Sequence, residues 1–237
     1  KKSISIVFWI ALAICTLFVV YGAILPKQLE AITQNITSFI AVNFSWYYLL
    51  LVLIIFFICV YLLFSRYASI TLGVEGEEPE FSLLSWFAML FSAGMGIGLV
   101  FWTTAEPVSH AYKATPIHKI GTQAAINDAF QFAFFHWGIH AWAVYGIVAL
   151  VFAYFNFHKG YPGLVSATLV PIFGEKRMRG PIGSAIDVLA VIATVTGVAA
   201  TLGFGALQIN EGLHYLFKVP SHFGTQVIII IIATILF

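Results

Sequence analysis

The chain has 237 residues, of which 61% are hydrophobic and only 9% are charged, and its formal net charge is +1. Soluble domains carry about 25% charged residues, so this chain lacks the charge to cover a water-facing surface. It also lacks the basic face that nucleic acid binding requires. A mean hydropathy of +0.97 therefore predicts an all-α polytopic membrane protein. Cys15 and Cys59 both lie in apolar runs and are expected to be unpaired thiols.

The first apolar run follows Lys1 and Lys2 and extends from about residue 4 to about residue 25. A secretory signal has a shorter apolar core of about 7–15 residues and a small-residue cleavage site. The run is too long for that and shows no such site, so it predicts a true membrane span.

Five further apolar segments reach or approach the roughly 20 residues that a spanning helix needs. They cover about 46–64, 83–105, 129–155 and 184–209, and a last one begins near residue 225. Because the last segment is still apolar at Phe237, the sequence is expected to be part of a longer protein.

Orientation follows from the distribution of lysine and arginine between loops. With a cytoplasmic N-terminus, the inside segments hold seven basic residues (Lys1, Lys2, Arg66, Lys159, Lys176, Arg177, Arg179) and the outside segments hold four (Lys27, Lys113, Lys119, Lys218). The bias favours a cytoplasmic N-terminus in the cell membrane.

The third span contains Gly94, Gly96 and Gly98 near its middle. Each glycine costs roughly 1 kcal/mol relative to alanine in a helix, so this is the weakest helical stretch of the span. Discontinuous helices at mid-membrane are how many carriers bind substrates and ions. The spacing therefore predicts a broken helix, with close packing of Gly94 and Gly98 against a neighbouring helix as the alternative. Glu106-Pro107 is expected to close the span.

The fourth span places Trp137, Trp142 and Tyr145 on one broad helical face, at roughly 0°, 140° and 80°. A trimethylammonium group carries charge but no N–H donor, and aromatic rings bind it through cation–π attraction of about 0.5–2 kcal/mol each. The face predicts a cage for such a group. The alternative is an interfacial aromatic belt.

Two other sets of polar residues have side chains that could act as ligands. His136 and His140 have the i, i+4 spacing of metal ligands, but no acidic partner lies within the span, so an intramembrane metalloenzyme is the weaker hypothesis and hydrogen-bonded histidines the simpler one. The middles of spans three to five hold no Asp, Glu, Lys or Arg. Thr194, Thr196 and Thr201 could instead offer neutral oxygens to Na⁺, or simply bond their own helix.

These motifs together resemble the betaine/choline/carnitine transporter (BCCT) family. The resemblance rests on the run 93–99 followed by Glu106-Pro107, on the aromatic segment 136–145 and on the segment 187–208. It implies the N-terminal half of a LeuT-like inverted-repeat transporter. Residues 1–82 would be two leading helices with their loops, and residues 83–237 the start of the first repeat, with spans three to six truncated. It also suggests a homotrimer.

The resemblance also implies roles for individual residues. Trp137, Trp142 and Tyr145 match the family's substrate box, and Gly94, Gly96 and Gly98 match its glycine-rich substrate segment. Ser92 and Met95 match positions that offer backbone oxygens to Na⁺, and Thr194 matches a second sodium-associated position. Val198 stands where a second threonine is expected, which puts that second site in doubt. Gly98 replaces the acid of choline carriers, which suits a zwitterion that brings its own carboxylate.

The function expected from the sequence is sodium-coupled symport of a trimethylammonium compatible solute, most of all glycine betaine. The alternative is a sodium-independent exchanger, or an uptake carrier for choline- or carnitine-type substrates. No enzymatic activity, catalytic residue or cofactor is expected. The expected partners are a quaternary-ammonium substrate, Na⁺ as the coupling ion and membrane lipid.

Overall fold

A computed structural model describes residues 5–73, 76, 78–115 and 117–236. The described residues form helices and turns and contain no strand, which confirms the all-α class. The described part of the chain contains ten α-helices: α1 (Ile6–Ile24), α2 (Pro26–Phe64), α3 (Leu83–Tyr112), α4 (Gln123–Trp137), α5 (Ile139–Ala153), α6 (Val165–Thr168), α7 (Val170–Phe173), α8 (Glu175–Met178), α9 (Pro181–Phe217) and α10 (Phe223–Leu236). A 3₁₀ turn (Arg66–Ser69) follows α2, and a π turn (Tyr154–His158) follows α5.

Four helical segments of the described chain are long and apolar enough to cross a membrane: Ile6–Ile24, Pro26–Phe64, Gln123–His158 and Pro181–Phe217. Two shorter apolar helical stretches are Leu83–Ser92 and Phe223–Leu236. Each of these overlaps one of the six apolar segments predicted from the sequence, and four of the six predicted spans are confirmed as long and apolar enough to cross a membrane. The chain is therefore a multi-span membrane protein.

Helix α2 is much longer than the segment predicted for it. Its 39 residues correspond to about 58 Å at 1.5 Å per residue, about twice the thickness of the hydrocarbon core. Only the second half was predicted, because residues 26–45 mix polar and apolar side chains. Leu25 separates α1 from α2, and Pro26 stands at the first position of α2, where its missing N–H costs nothing.

The chain divides into two compact units. Unit 1 comprises residues 1–77 and 136–193, and unit 2 comprises residues 78–135 and 194–237. Helices α4 and α9 each contribute residues to both units. The predicted boundary between leading helices and first repeat, at residue 82, stays a prediction.

In unit 1, α2 and α5 pack side by side and run in the same direction. The rings of Phe56 and His140 are 5.6 Å apart, and one turn further on the Cys59 thiol donates to the Ala143 carbonyl at 3.5 Å. Because both contacts advance by three residues in the same direction along α2 and α5, the two helices are parallel. Their C-terminal ends therefore lie on the same side. Both cysteines are half-buried and free.

Asp187 of α9 holds the short helices of unit 1 in place. It is 6% exposed and accepts hydrogen bonds from the Ser166 backbone N–H at 2.9 Å and from the Ser166 hydroxyl at 2.6 Å. Hydrogen bonds to a carboxylate are worth about 1.5–3 kcal/mol each. This residue therefore anchors the α5–α9 connection rather than merely flanking a span.

In unit 2, stacking of Phe101 on Phe204, with centroids 4.9 Å apart, joins α3 to α9. The connection from α3 to α4 is pinned by Asp128, whose Oδ2 lies 2.7 Å from His118 Nδ1 and accepts the His118 backbone N–H at 3.2 Å. Asp128 is buried, so the pair fixes the loop against α4.

Helix α3 corrects two expectations. It is helical over all 30 residues, including the three glycines, and Pro107 lies inside it rather than at its end. The predicted break at Gly94, Gly96 and Gly98 is therefore wrong. The glycines together cost about 3 kcal/mol relative to alanine, whereas each unsatisfied backbone group at membrane depth costs several kcal/mol, so the helix persists.

Candidate functional site

The broken helix of this chain lies in the fourth span, at Gly138. The sequence predicted one helix over about 129–155, but α4 ends at Trp137 and α5 begins at Ile139. Gly138 between them has extended backbone, with φ −79° and ψ −161°. A single glycine thus separates the two helices within the segment that carries the aromatic residues.

Trp142 stabilises the break from one turn into α5. Its indole Nε1–H donates to the Trp137 carbonyl at 3.1 Å, while its own backbone N–H donates to the Gly138 carbonyl at 3.5 Å. A carbonyl released at a helix end needs a new donor where water is absent. The indole supplies one, and the same bond fixes the direction of the Trp142 ring.

Two of the three predicted cage residues meet. The rings of Trp142 and Tyr145 are 5.9 Å apart with an interplanar angle of 69°, an edge-to-face pair that presents two aromatic surfaces at an angle. The side chains are 40% and 52% exposed, so their faces are open to a ligand. Rings inclined in this way can both contact one methylated ammonium group.

Trp137 stands on the other side of the break. Its ring packs against His136 with centroids 5.2 Å apart and a 37° tilt, and its carbonyl receives the Trp142 bond. Because the break changes the backbone between Trp137 and Trp142, the single helical face predicted for the three aromatic residues does not hold across Gly138. A three-ring cage stays a prediction.

The predicted substrate and sodium residues of α3 lie in unit 2. A Cβ placed on Gly96 or Gly98 would meet no atom within 4 Å, so neither glycine is required by close helix packing at its position. Ser92 is exposed on α3. The surroundings of Gly94 and the side chain of Met95 lie outside the described part of the structure.

The threonines predicted for Na⁺ lie along α9. Thr201 donates to the Gly197 carbonyl at 3.0 Å, so it bonds its own helix. Thr194 is in unit 2, as Ser92 is, whereas the three aromatic residues are in unit 1. Whether the ion and substrate residues form one site therefore stays a prediction.

The metal hypothesis gains no support from the described residues, among which no three His, Cys, Asp or Glu side chains could jointly hold a metal ion. His140 instead packs against Phe56, and His136 packs against Trp137. The two histidines are therefore ring-packing partners on either side of the break.

Comparison with known proteins identifies the family. A model of the betaine/carnitine/choline family transporters, BCCT, matches residues 6–237. The chain belongs to the BCCT family. This family consists of transporters, in agreement with the expectation that the protein is not an enzyme.

Individual relatives within the BCCT family are similar over most of the chain. The glycine betaine transporter OpuD of Bacillus subtilis is 55% identical over 236 residues, which cover 100% of this chain and 46% of the relative. A probable glycine betaine transporter of Desulfitobacterium hafniense is 43% identical, covering 100% of this chain and 47% of the relative. An ectoine/hydroxyectoine transporter of Virgibacillus pantothenticus is 42% identical, covering 94% and 44%. The chain thus spans less than half the length of these BCCT relatives.

Sequence reasoning missed the features that give the candidate site its local geometry. The break at Gly138 had one signal, a lone glycine between Trp137 and Ile139. The indole bond from Trp142 had none, because it depends on the Trp137 carbonyl at a helix end that the sequence did not predict. The prediction of a broken helix relied on the number of glycines in a short stretch, and that number is highest in α3.

Proposed function

We propose that this chain is part of a sodium-coupled symporter that takes up glycine betaine across the cell membrane for osmoprotection. The observation that carries the proposal is the pair of open rings, Trp142 and Tyr145, set at 69° to each other beside the helix break. Two inclined rings suit a ligand whose charge is surrounded by methyl groups. The names of two of the relatives support betaine as the substrate.

The lack of an acid at Gly98 supports a zwitterion over a cation. Gly98 has open space around it and carries no charge, so a ligand would have to bring its own carboxylate to balance the ammonium. Choline has no carboxylate. One of the relatives is named an ectoine/hydroxyectoine transporter. Ectoine is therefore the third substrate to be compared with betaine and choline.

The proposal also states that uptake is coupled to sodium. Ser92 and Met95 lie in an unbroken helix, so their carbonyls would offer Na⁺ only the lone pair that remains beside the helical hydrogen bond. Thr194 would add a hydroxyl. A sodium-independent exchanger is the alternative, and it would need none of these residues.

A cavity in unit 1 supports the proposed orientation. Ser5 and Val7, at the start of α1, line it together with Tyr161 and Arg179 of the α5–α9 connection. The chain start and the basic loop 159–179 therefore lie close together in this unit. With this loop on the cytoplasmic side, as its lysines and arginines favour, the N-terminus is cytoplasmic as well. A homotrimer, suggested by the family resemblance, stays part of the proposal.

Uptake by the full-length protein in proteoliposomes tests the function. Radiolabelled betaine should accumulate only when an inward sodium gradient is imposed, and unlabelled betaine should compete better than choline or ectoine. Full-rate uptake with potassium in place of sodium would refute the coupling. Uptake that requires internal substrate would establish the exchanger instead.

A further inference from the structure

A cavity of about 290 Å³ lies in unit 1 between the start of α1 and the α5–α9 connection. Besides apolar side chains, its lining includes four hydroxyl groups and one buried carboxylate, from Ser5, Tyr161, Ser166, Ser184 and Asp187. Oxygen atoms are the ligands that proteins offer to hard metal ions. None of the residues predicted for substrate or Na⁺ is part of this lining as the structure describes it.

The charges around this cavity do not balance. Glu175 and Arg179 both line it and form a salt bridge with each other at 2.7 Å, so together they contribute no net charge. Asp187 adds one further negative charge. Among the described residues, no lysine or arginine forms a salt bridge with Asp187. The lining therefore carries a net negative charge, which is that of Asp187.

Burial makes this unbalanced carboxylate costly. Asp187 is only 6% exposed, and an ionised carboxylate taken out of water needs a compensating charge as well as hydrogen bonds. Ser166 donates one hydrogen bond to each of its oxygens. A carboxylate has about four acceptor positions, so about two remain for another ligand. A cation in the cavity would supply both the missing charge and the missing contacts.

The cation that suits this lining is small and monovalent. One uncompensated carboxylate balances one positive charge, whereas dedicated Ca²⁺ sites gather several carboxylates. Coulomb attraction increases as the distance between the ion and the carboxylate oxygen shortens, so a charged oxygen ligand favours Na⁺ over the larger K⁺. The hydroxyls of Ser5, Tyr161 and Ser184 offer further neutral oxygens on the same lining.

We propose that this cavity binds Na⁺, with the Asp187 carboxylate as its charged ligand. The site goes beyond the proposed coupling, because it uses neither the predicted sodium residues of α3 nor Thr194. A bound ion contacts residues from the start of α1, from the α5–α9 connection and from α9, since all three line the cavity. Sodium therefore stabilises this part of unit 1.

Binding of radioactive sodium to the purified full-length protein, measured without betaine by scintillation proximity, tests the site. Asp187→Asn removes the charge but keeps both hydrogen bonds with Ser166, because the amide oxygen accepts the backbone N–H and the amide nitrogen donates to the hydroxyl. The number of Na⁺ ions bound per protomer should fall by about one, since loss of the charged ligand weakens this ion at least about a hundredfold.

The matched control neutralises a buried carboxylate elsewhere in the chain. Asp128 is also buried and also accepts two contacts, both from His118, but it belongs to unit 2. Asp128→Asn should leave the number of bound Na⁺ ions unchanged. An unchanged number in folded Asp187→Asn protein, or an equal loss in both variants, would overturn the proposal.

Arg179→Gln tests the charge balance and leaves Asp187 in place, so it decides the matter even if Asp187→Asn fails to fold. It leaves Glu175 unpaired and makes the lining more negative. Both side chains are largely exposed and screened by water, so the sodium concentration at half-saturation should fall about two- to fivefold. Lys176→Gln removes a charge that does not line the cavity and should change the half-saturation less. An unchanged or weaker affinity in Arg179→Gln would contradict the site.

Competition identifies the ion and separates this site from the coupling. Unlabelled K⁺ should displace the radioactive sodium at least about tenfold less effectively than unlabelled Na⁺ does, and equal displacement would overturn Na⁺ as the ligand. Sodium-independent betaine uptake together with the loss in Asp187→Asn would refute the coupling and support this site. Sodium-driven uptake without that loss would refute this site alone.

Discussion

Helix α3 and the α4–α5 segment respond differently to glycine. Helix α3 has Gly94, Gly96 and Gly98 within five residues and remains helical throughout, whereas the α4–α5 segment breaks at Gly138 and stays helical through Gly146. The difference lies in what happens to the released backbone groups. At Gly138 the Trp142 indole supplies a donor to the Trp137 carbonyl.

Glycine has a different use in each of these two segments. In α3, glycine leaves space beside a continuous helix, as the open surroundings of Gly96 and Gly98 show. In the fourth span, Gly138 permits a break, and the Trp142 side chain then donates a hydrogen bond to the Trp137 carbonyl. A break in a membrane helix thus depends on a replacement hydrogen bond as well as on a weak helix former.

The largest effect is expected from Gly98→Asp, which tests whether α3 contributes space and neutrality. A carboxylate about 4 Å from a cation contributes about 4 kcal/mol at an effective dielectric of 20, and about 1.4 kcal/mol is tenfold. Choline uptake by the full-length protein should therefore rise at least about tenfold relative to betaine. Gly98→Asn, similar in size but uncharged, is the control and should admit no choline. Without choline uptake in the aspartate variant, Gly98 would have no part in selectivity.

Next in size is the effect of Trp142→Ala on substrate binding. Loss of one ring from a cation–π contact costs about 0.5–2 kcal/mol, or about two- to thirtyfold in affinity. Betaine titration of purified protein, followed by tryptophan quenching or calorimetry, measures this. Trp86→Ala, at the start of α3, should leave affinity unchanged. An unchanged affinity in Trp142→Ala, in folded protein, would rule out its role in the cage.

Trp142→Phe separates the hydrogen bond from the ring. Phenylalanine keeps an aromatic face but removes the donor to the Trp137 carbonyl, so about 0.5–1.5 kcal/mol of stability should be lost. Thermal unfolding in detergent measures the loss, with Trp86→Phe as the matched control. A variant as stable as the parent would show that the break does not need the indole.

The smallest effects are expected from two glycine-to-alanine changes of opposite sign. Gly96→Ala adds a methyl group in open space on an existing helix and should stabilise the protein by about 1 kcal/mol. Gly138→Ala favours helical backbone at a residue that is extended, and should therefore destabilise the protein by a similar amount. Thermal unfolding of both variants provides the comparison, and shifts of the same sign would contradict the different roles of the two glycines.

Hydropathy predicted where the chain crosses the membrane because that property depends on composition over about 20 residues. It did not predict the first half of α2, because polar residues at 27–35 lower the mean hydropathy of a stretch that is nevertheless helical. Nor did it predict the buried position of Asp187, because its partner Ser166 lies 21 residues away in a connection without periodicity.

The candidate site was predictable in residue type but not in geometry. A spacing of three residues places side chains on one helical face, which predicts that Trp142 and Tyr145 lie together, and their rings do meet. The same periodicity predicts that Trp137 joins them, but it fails across the break at Gly138. The π turn at Tyr154–His158 had no sequence signal, because it depends on one extra residue in the coil.

Fluorine NMR of protein labelled with 5-fluorotryptophan tests the central claim most directly, since it reports on the Trp142 ring itself. The resonance is assigned by its loss in Trp142→Phe. Glycine betaine should shift it in a saturable way, whereas glycine, which lacks the methyl groups, should not, and the Trp86 resonance should stay unchanged with either. If betaine leaves the Trp142 resonance where it was, or glycine moves it equally, the rings beside Gly138 do not bind the methylated ammonium.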